Sequence, residues 1–330
     1  MRVKTIDAHV AGAAIRLVTA GLPAIEGDTM SERRASFEAA ADGIRRLICL
    51  EPRGHAGVLG IALTEPDRAE ADAGVLFFDG MGMPLLSRAG LIGATALALD
   101  ARLITPRIAD RLELDTEAGP VSSQVTRRSA GGQVAAVSVD GPPAAVVRGN
   151  ARVTTASRSV SFDLAWSGAD VLAIAEAEAA GVPLAAARAL ELQRAGVDLL
   201  RHVNERFAVA VPGYVEPRPV DGVVFVGAAS HPGADVRAVL VRADGRVSRT
   251  PSGSGTAAVC AVLSAMGVLG GGVAVIESLG GAVWSAQVSA AEPLNGAPSV
   301  RVAIESPVFR TGVHEFTHDA EDPLIGVTWL

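Results

Sequence analysis

Residues 251–264 read PSGSGTAAVCAVLS: a turn of glycine and serine running into an alanine-rich apolar segment. Two readings of it lead to different folds. Gly253, Gly255 and Ala258 fit a relaxed dinucleotide-binding fingerprint, and Glu277 follows 24 residues after Gly253, where a ribose-binding acid would stand. That fingerprint requires an apolar strand leading directly into the first glycine. Here the polar SRTPS (248–252) precedes it, and the apolar run VRAVLV ends at Val241. The alternative is a polar turn at the start of a buried helix, where backbone N–H groups lack partners and the helix dipole is positive.

A second stretch supports the alternative. Residues 71–104, ADAGVLFFDGMGMPLLSRAGLIGATALALDARLI, resemble residues 233–269, GADVRAVLVRADGRVSRTPSGSGTAAVCAVLSAMGVL. Each has Ala-Asp, an apolar extended run, a polar turn, Ser-x-x-Gly and then an Ala/Leu-rich helix. Ser87 and Ser252 lie 165 positions apart, half of the 330-residue chain. This pattern predicts a duplicated unit with pseudo-two-fold symmetry. Taken singly, each serine is a helix N-cap. Taken as a matched pair, the two helix starts are anion-binding turns with a hydroxyl at each.

Composition narrows the function. Hydrophobic residues make up 49% and aromatics 4%, so Ala, Val, Leu and Ile must build the core. A net charge of −7, with no basic cluster among aromatics, argues against nucleic acid and anionic membrane as partners. Lys4 is the sole lysine, which removes Schiff-base enzymes and P-loop nucleotide binders from consideration. Cys49 and Cys260 both lie in apolar runs and do not suggest a disulfide framework. MRVKTIDAHV does not read as a signal peptide. The uncharged stretch 252–276 is long enough to span a membrane, but Gly270, Gly271 and Gly272 divide it into a buried helix and the strand VAVIES. The expected location is the cytoplasm.

The pentapeptide HEFTH (314–318) matches the zinc-protease pattern H-E-x-x-H. That pattern binds metal only on a helix. The surrounding VHEFTHD, between Gly312 and Pro323, reads as a strand. Histidines four apart on a strand are ~13 Å from each other, too far to share one zinc.

Six segments then show a resemblance: GDTMSERR (27–34), LEPRGHAGVLG (50–60), ADAGVLFFDG (71–80), ADVRAVLV (234–241), SRTPSGSGTAA (248–258) and EDPLIGV (321–327). In this order they resemble the proline racemase family, which includes proline racemases, hydroxyproline 2-epimerases and trans-3-hydroxyproline dehydratases. The resemblance implies an α/β (α+β) fold like that of diaminopimelate epimerase. It has two pseudo-symmetric lobes, each a sheet wrapped around a central helix, with the active site in the interlobe cleft. The expected lobes are 1–128 with about 300–330, and 129–299. The implied chemistry is cofactor-independent removal of the α-proton of an amino acid, and no metal is expected. A small amino-acid-like carboxylate is the expected partner, and a homodimer remains open.

In the family a cysteine stands on each face of the substrate; carried over, those catalytic positions are Ser87 and Ser252. The backbone amides of Arg88, Ala89, Gly253 and Ser254 would hold the substrate carboxylate. Gly90, Ser248, His55 and Asp235 complete the expected substrate-binding set. The chain departs from the family pattern at its centre. Leu86-Ser87-Arg88-Ala89-Gly90 replaces Met-Cys-Gly-His-Gly, and Ser248-Arg249-Thr250-Pro251-Ser252 replaces Asp-Arg-Ser-Pro-Cys. The early H-x-x-G-E-P motif is reduced to HVAGAA at 9–14.

Serine at the first position points to a dehydratase or hydroxyproline epimerase. Serine at the second is a poor base without an activator, for which His55 and His231 are the expected alternatives to purely structural histidines. Arg88 and Arg242 are either solvent-facing cations or partners for a second carboxylate on the ligand. Cys260, two turns beyond Ser252, reads as core. The expected activity is trans-3-hydroxyproline dehydration, with hydroxyproline epimerisation or proline racemisation as alternatives. A catalytically impaired carboxylate binder is the reading from another class.

Overall fold

A computed structural model describes residues 2–155, 158–319 and 321–322. The EDPLIGV segment lies outside the described residues from position 323 onward. The chain divides into two units, 1–140 with 305–330, and 141–304.

In the first unit the elements run β1 (Arg2–Val10), β2 (Ala13–Ala20), α1 (Met30–Cys49), β3 (Val58–Thr64), β4 (Ala73–Asp79), α2 (Arg88–Asp100), β5 (Arg111–Thr116), β6 (Gly119–Arg128) and β7 (Val134–Asp140). The strands lie in chain order, β1 to β7. β2–β3 and β4–β5 pair in parallel, and the other neighbours are antiparallel. Each parallel pair is joined by a helix, as a parallel connection requires. β7 hydrogen-bonds to β6, from Ser122↔Asp140 to Arg128↔Val134, so this unit continues past residue 128 to Asp140.

The second unit repeats the plan with β8 (Ala144–Thr154), β9 (Ser159–Trp166), β10 (Val171–Glu176), the short α3 (Ala177–Ala180), α4 (Ala189–Asn204), β11 (Gly222–Gly227), β12 (Val236–Arg242), α5 (Gly253–Ala265), β13 (Gly272–Glu277) and β14 (Val283–Leu294). Its parallel pairs are β10–β11 and β12–β13, again joined by helices. The 21-residue β15 (Ala297–Thr317) serves both units. Ser299 and Val300 pair with β8, and Val308 to Thr317 pair with β1.

The helices play two parts. α1 and α4 are amphipathic and each lies on an outer sheet face. Phe37, Ile44 and Leu47 of α1 pack with Leu76 and Phe78, while Leu192, Leu199 and Val203 of α4 pack with Val223 and Phe225. A capping box fixes the start of α1: Thr29 accepts from Glu32 N, and the Glu32 side chain reaches back to the Thr29 backbone. In contrast, α2 and α5 are apolar all round, as a helix enclosed by a sheet must be. α2 touches β1, β2, β3, β6 and β7; α5 touches β8, β9, β10 and β12. The repeat implied two similar units, and the resemblance implied this fold for each, a sheet around a central helix.

One device recurs at the entry to the strands. Asp72 N–H donates to Glu113 O at 2.7 Å, and its carboxylate takes Glu113 N–H at 2.8 Å. Asp235 treats Val275 in the same way, at 2.8 and 2.7 Å, and so does Asp221 with Val171, at 2.8 and 2.7 Å. Each aspartate precedes a strand and clamps a neighbouring parallel strand, supplying an acceptor where the ladder has none.

Two stretches with alternative readings are settled by local structure. Residues 252–276 form α5 and β13 with glycines between them, and among the described residues no helix is long and apolar enough to cross a membrane. His314 lies inside β15 opposite Thr5, and His318 lies past the strand end, so HEFTH is not helical.

Candidate functional site

The two Ser-x-x-Gly turns are the starts of α2 and α5. Ser87 is the N-cap of α2, with an ordinary extended backbone (φ −137°, ψ 109°), and its hydroxyl accepts from Gly90 N at 3.1 Å. Ser252 is the N-cap of α5, and its hydroxyl accepts from Gly255 N at 3.2 Å. The glycine allows the close approach. A Cβ at Gly90 would fall 2.8 Å from Leu59 and Phe77, and one at Gly255 would fall 3.2 Å from the Ser252 Cβ.

The second turn is strained. Ser252 has φ 63° and ψ 123°, a backbone conformation that L-residues rarely adopt. Its surroundings enforce it. Ser252 N–H donates to Thr250 Oγ1 at 3.1 Å, Ser248 Oγ donates to Thr250 O at 2.9 Å, and Thr256 N–H donates to Ser252 O at 2.7 Å. Strain of this kind at a non-glycine residue clusters at functional turns.

The expected site residues fall into three groups. Ser87, Arg88, Ala89 and Gly90 are contiguous at the start of α2; Ser248, Ser252, Gly253 and Ser254 gather at the start of α5. Arg88 is not a solvent-facing cation: it is 2% exposed, and no acidic residue stands in the first turn of its helix. Arg242 is half-buried and paired with Asp170 at 3.1 Å, rather than open to solvent.

Asp235 and the two histidines stand apart. Asp235 precedes β12, whereas Arg242, beside the start of α5, ends it; seven strand residues make that separation about 20 Å. Its carboxylate is occupied by Val275 N–H. His55 is exposed in the loop before β3, with Nδ1 3.0 Å from Ala56 O. His231 is exposed, and its backbone N–H donates to Glu277 at 3.2 Å. Among the described residues, the hydrogen bond to the Ser252 hydroxyl comes from Gly255 N, with no imidazole or carboxylate bonded to it.

The cysteines are core. Cys260 is fully buried in α5. Burial pushes the Cys49 thiol up to about 12, with the nearby Asp79 charge adding to the rise, so it is protonated at neutral pH. Neither thiol forms a disulfide. Among the described residues, no group of His, Cys, Asp or Glu is arranged to hold a metal ion.

A polar cluster beside the α5 turn was not foreseen from the sequence. Asp170 faces Arg242, and Asp221 receives Arg218 at 3.3 Å. Burial alone would raise the Asp170 carboxyl, but Arg242 and the Ser254 hydroxyl outweigh it and hold it below the usual range. Asp221 is raised, by burial first and by the Asp170 charge next. The available signal was the tetrapeptide GADV, which occurs at 168–171 and again at 233–236.

With the turns described, the relatives can be placed. The proline racemase family model matches residues 5–326, and the chain belongs to that family. It is 30% identical to proline racemase of Clostridioides difficile over 326 residues, covering 98% of this chain and 96% of the relative. It is 32% identical to trans-3-hydroxy-L-proline dehydratase of Burkholderia ambifaria over 324 residues, covering 97% and 96%. Among solved structures, a hydroxyproline epimerase from Agrobacterium vitis with bound trans-4-hydroxy-L-proline superposes with a TM-score of 0.86 at 25% identity, covering 98% of this chain and 94% of the other. The relatives thus carry three different activities on one fold, isomerases and a hydro-lyase.

Proposed function

We propose that this chain is a cofactor-independent enzyme acting at the α-carbon of a proline-type amino acid, and that its reaction is the dehydration of a 3-hydroxyproline-like substrate. The observation that carries the reading is the matched pair of serine-capped helix starts in a member of this family. Each offers a hydroxyl and first-turn N–H groups with the positive end of a helix dipole.

The amides of Arg88 and Ala89, and those of Gly253 and Ser254, hold the substrate carboxylate and the negative charge that grows on it as the α-proton leaves. Ser87 and Ser252 are the polar acid/base positions. In the elimination the α-proton passes to one of the two serine oxygens, the Cα–H electron pair forms the Cα=Cβ bond, and the Cβ–O bond breaks. The departing hydroxide takes a proton and leaves as water. This route requires one base and only a weak acid, whereas epimerisation must also return a proton to the opposite face of the α-carbon. Two serines in place of two thiols therefore suit elimination better than epimerisation. Buried Arg88, beside Ser87, adds positive charge at that helix start and favours a ligand with an acidic group in reach.

One observation favours a second reading, a carboxylate binder without turnover: the Ser252 hydroxyl receives Gly255 N–H but has no base bonded to it. Proton NMR in D2O separates the two, with L-proline, trans-4-hydroxy-L-proline and trans-3-hydroxy-L-proline offered separately. An elimination product from the 3-hydroxy substrate supports the dehydratase. Exchange of the α-proton without elimination supports an epimerase or racemase. Three unchanged spectra at high enzyme concentration refute the enzymatic reading.

A further inference from the structure

Each torsion of Ser252 is held by a hydrogen bond to a different partner. Its carbonyl accepts Thr256 N–H at 2.7 Å, which fixes ψ, and its hydroxyl accepts Gly255 N–H at 3.2 Å, which fixes the side chain. Those two bonds are shared by any capped helix start. The third is not. Ser252 N–H donates to Thr250 Oγ1 at 3.1 Å, and this bond holds φ, the torsion that lies in the left-handed region at 63°.

Thr250 is in turn tied to the sheet. Ser248 Oγ donates to Thr250 O at 2.9 Å, and Ser248 N–H donates to Leu240 O of β12 at 2.8 Å. Val247, one residue earlier, bridges to Val241. Pro251, between Thr250 and Ser252, has its own φ locked by its ring. Thr250 and Ser252 are both buried, so water has little access to these bonds. A line of bonds thus runs from β12 through Ser248 and Thr250 to the backbone of Ser252. Ser87, with its ordinary extended backbone, needs no such brace.

We propose that Thr250 is a positioning residue for Ser252, and that Ser248 acts through Thr250 rather than on the substrate. The Thr250 hydroxyl holds the φ of Ser252 positive against its tendency to relax, and so sets the direction in which the Ser252 hydroxyl leaves the helix start. The hydroxyl proton of Ser248 is engaged by the Thr250 carbonyl and is not offered to a ligand. Because α5 is packed against β8, β9, β10 and β12, releasing this torsion moves Ser252 and leaves the Gly253 and Ser254 amides in place. This role rests on the reading of Ser252 as an acid/base position given above. Proton transfer is then the step that suffers, since displacing a reacting group by 1 Å costs on the order of a hundredfold.

The test is kinetics of the full chain by proton NMR in D2O, with trans-3-hydroxy-L-proline, trans-4-hydroxy-L-proline and L-proline offered separately. On the substrate that wild type turns over, Thr250→Val, which removes the acceptor of the Ser252 N–H, should lower kcat by about tenfold to a hundredfold. KM should stay within about threefold, because the carboxylate-binding amides keep their aim. Thr250→Ser, which keeps the oxygen, should restore most of kcat. Ser248→Ala should lower kcat in the same sense with KM unchanged. Wild-type kcat in Thr250→Val, or Thr250→Ser as slow as Thr250→Val, overturns the positioning role. Raised KM with unchanged kcat in Ser248→Ala overturns the brace and makes Ser248 a substrate contact. If Thr250→Val fails to fold, Ser248→Ala carries the test, and wild-type kcat in that variant overturns the brace. No turnover of the three substrates by wild type overturns the enzymatic reading and the positioning role with it, an outcome visible before any variant is made.

Discussion

Glycine at position 252 should stabilise this protein, while glycine at position 87 should destabilise it. Both serines are N-caps with the same hydrogen bond to the N–H three residues on, so a reading based on contacts alone predicts equal losses. The backbone separates them. At Ser252 (φ 63°, ψ 123°) a side chain costs about 1–3 kcal/mol of strain that glycine does not incur. Against this gain stand a few tenths of a kcal/mol for the weaker cap and about 0.4–1 kcal/mol for the freer unfolded chain. The balance is about 1 kcal/mol in favour of Ser252→Gly. At Ser87 (φ −137°, ψ 109°) there is no strain to release, and the same two costs leave Ser87→Gly about 1 kcal/mol worse than wild type. Alanine removes the cap at both sites, for about 1 kcal/mol each, and leaves the strain at 252 in place. For cooperative units of this size, 1 kcal/mol moves Tm by about 2–4 °C. Differential scanning calorimetry of the four variants should therefore show Ser252→Gly above wild type and the other three below it. If Ser252→Gly melts below wild type by as much as Ser87→Gly, the strain argument is refuted. A rise in Tm accompanied by loss of ligand binding would identify the strain as part of the site.

Other expectations follow from the same structure. Asp72→Ala and Asp235→Ala each free a backbone N–H on the neighbouring strand and should each cost about 1–3 kcal/mol; a denaturant titration in which Asp235→Ala is as stable as wild type would remove the clamp. Burial tends to raise the Glu277 carboxyl, but Arg237 and the N–H groups of Ser230 and His231 prevail and hold it below its ordinary value. Its stabilisation is therefore fully present above the unfolded-state value near 4.5 and is lost as pH falls through the lower folded-state value. Glu277→Gln should flatten the acid side of the Tm–pH curve, and an unchanged slope would show that another carboxylate governs it. With its thiol raised to about 12, Cys49 should resist a thiol reagent at pH 8 in the native protein and react once the chain is unfolded; prompt native-state labelling of Cys49, read by mass spectrometry, would contradict its burial.

Much of the architecture was already legible along the chain. The 165-residue spacing of Ser87 and Ser252 and the matching segments around them announced two similar units. Those units have matching parallel pairs, β2–β3 and β4–β5 in one, β10–β11 and β12–β13 in the other. The apolar, alanine-rich character of 88–100 and 253–265 marked the two enclosed helices, because a helix surrounded by a sheet has no face to give to water. The strand reading of 313–317 also followed from local composition, which is what secondary structure responds to most directly.

What the sequence left undecided depends on which distant groups meet. GADV appears twice, at 168–171 and 233–236, yet its aspartates have different work. Asp235 clamps Val275 from the entry of β12, whereas Asp170 faces Arg242. Residues 40 and 72 apart in sequence from their partners cannot be paired by any local pattern, so the clamp role of Asp235 and the Asp170–Arg242 pair emerge only when strands are assembled. Arg88 and Ser252 show the same limit. Arginine reads as a surface residue by composition, and serine gives no hint of a positive φ; the enclosing sheet buries the first, and the bonds of Thr250, Gly255 and Thr256 impose the second. The sequence by itself determined the duplicated plan and the two serine turns, because periodicity and helix-start chemistry are local. The burial, strain and electrostatic partners of those turns were decided by tertiary structure, because they are properties of contacts between segments far apart in the chain.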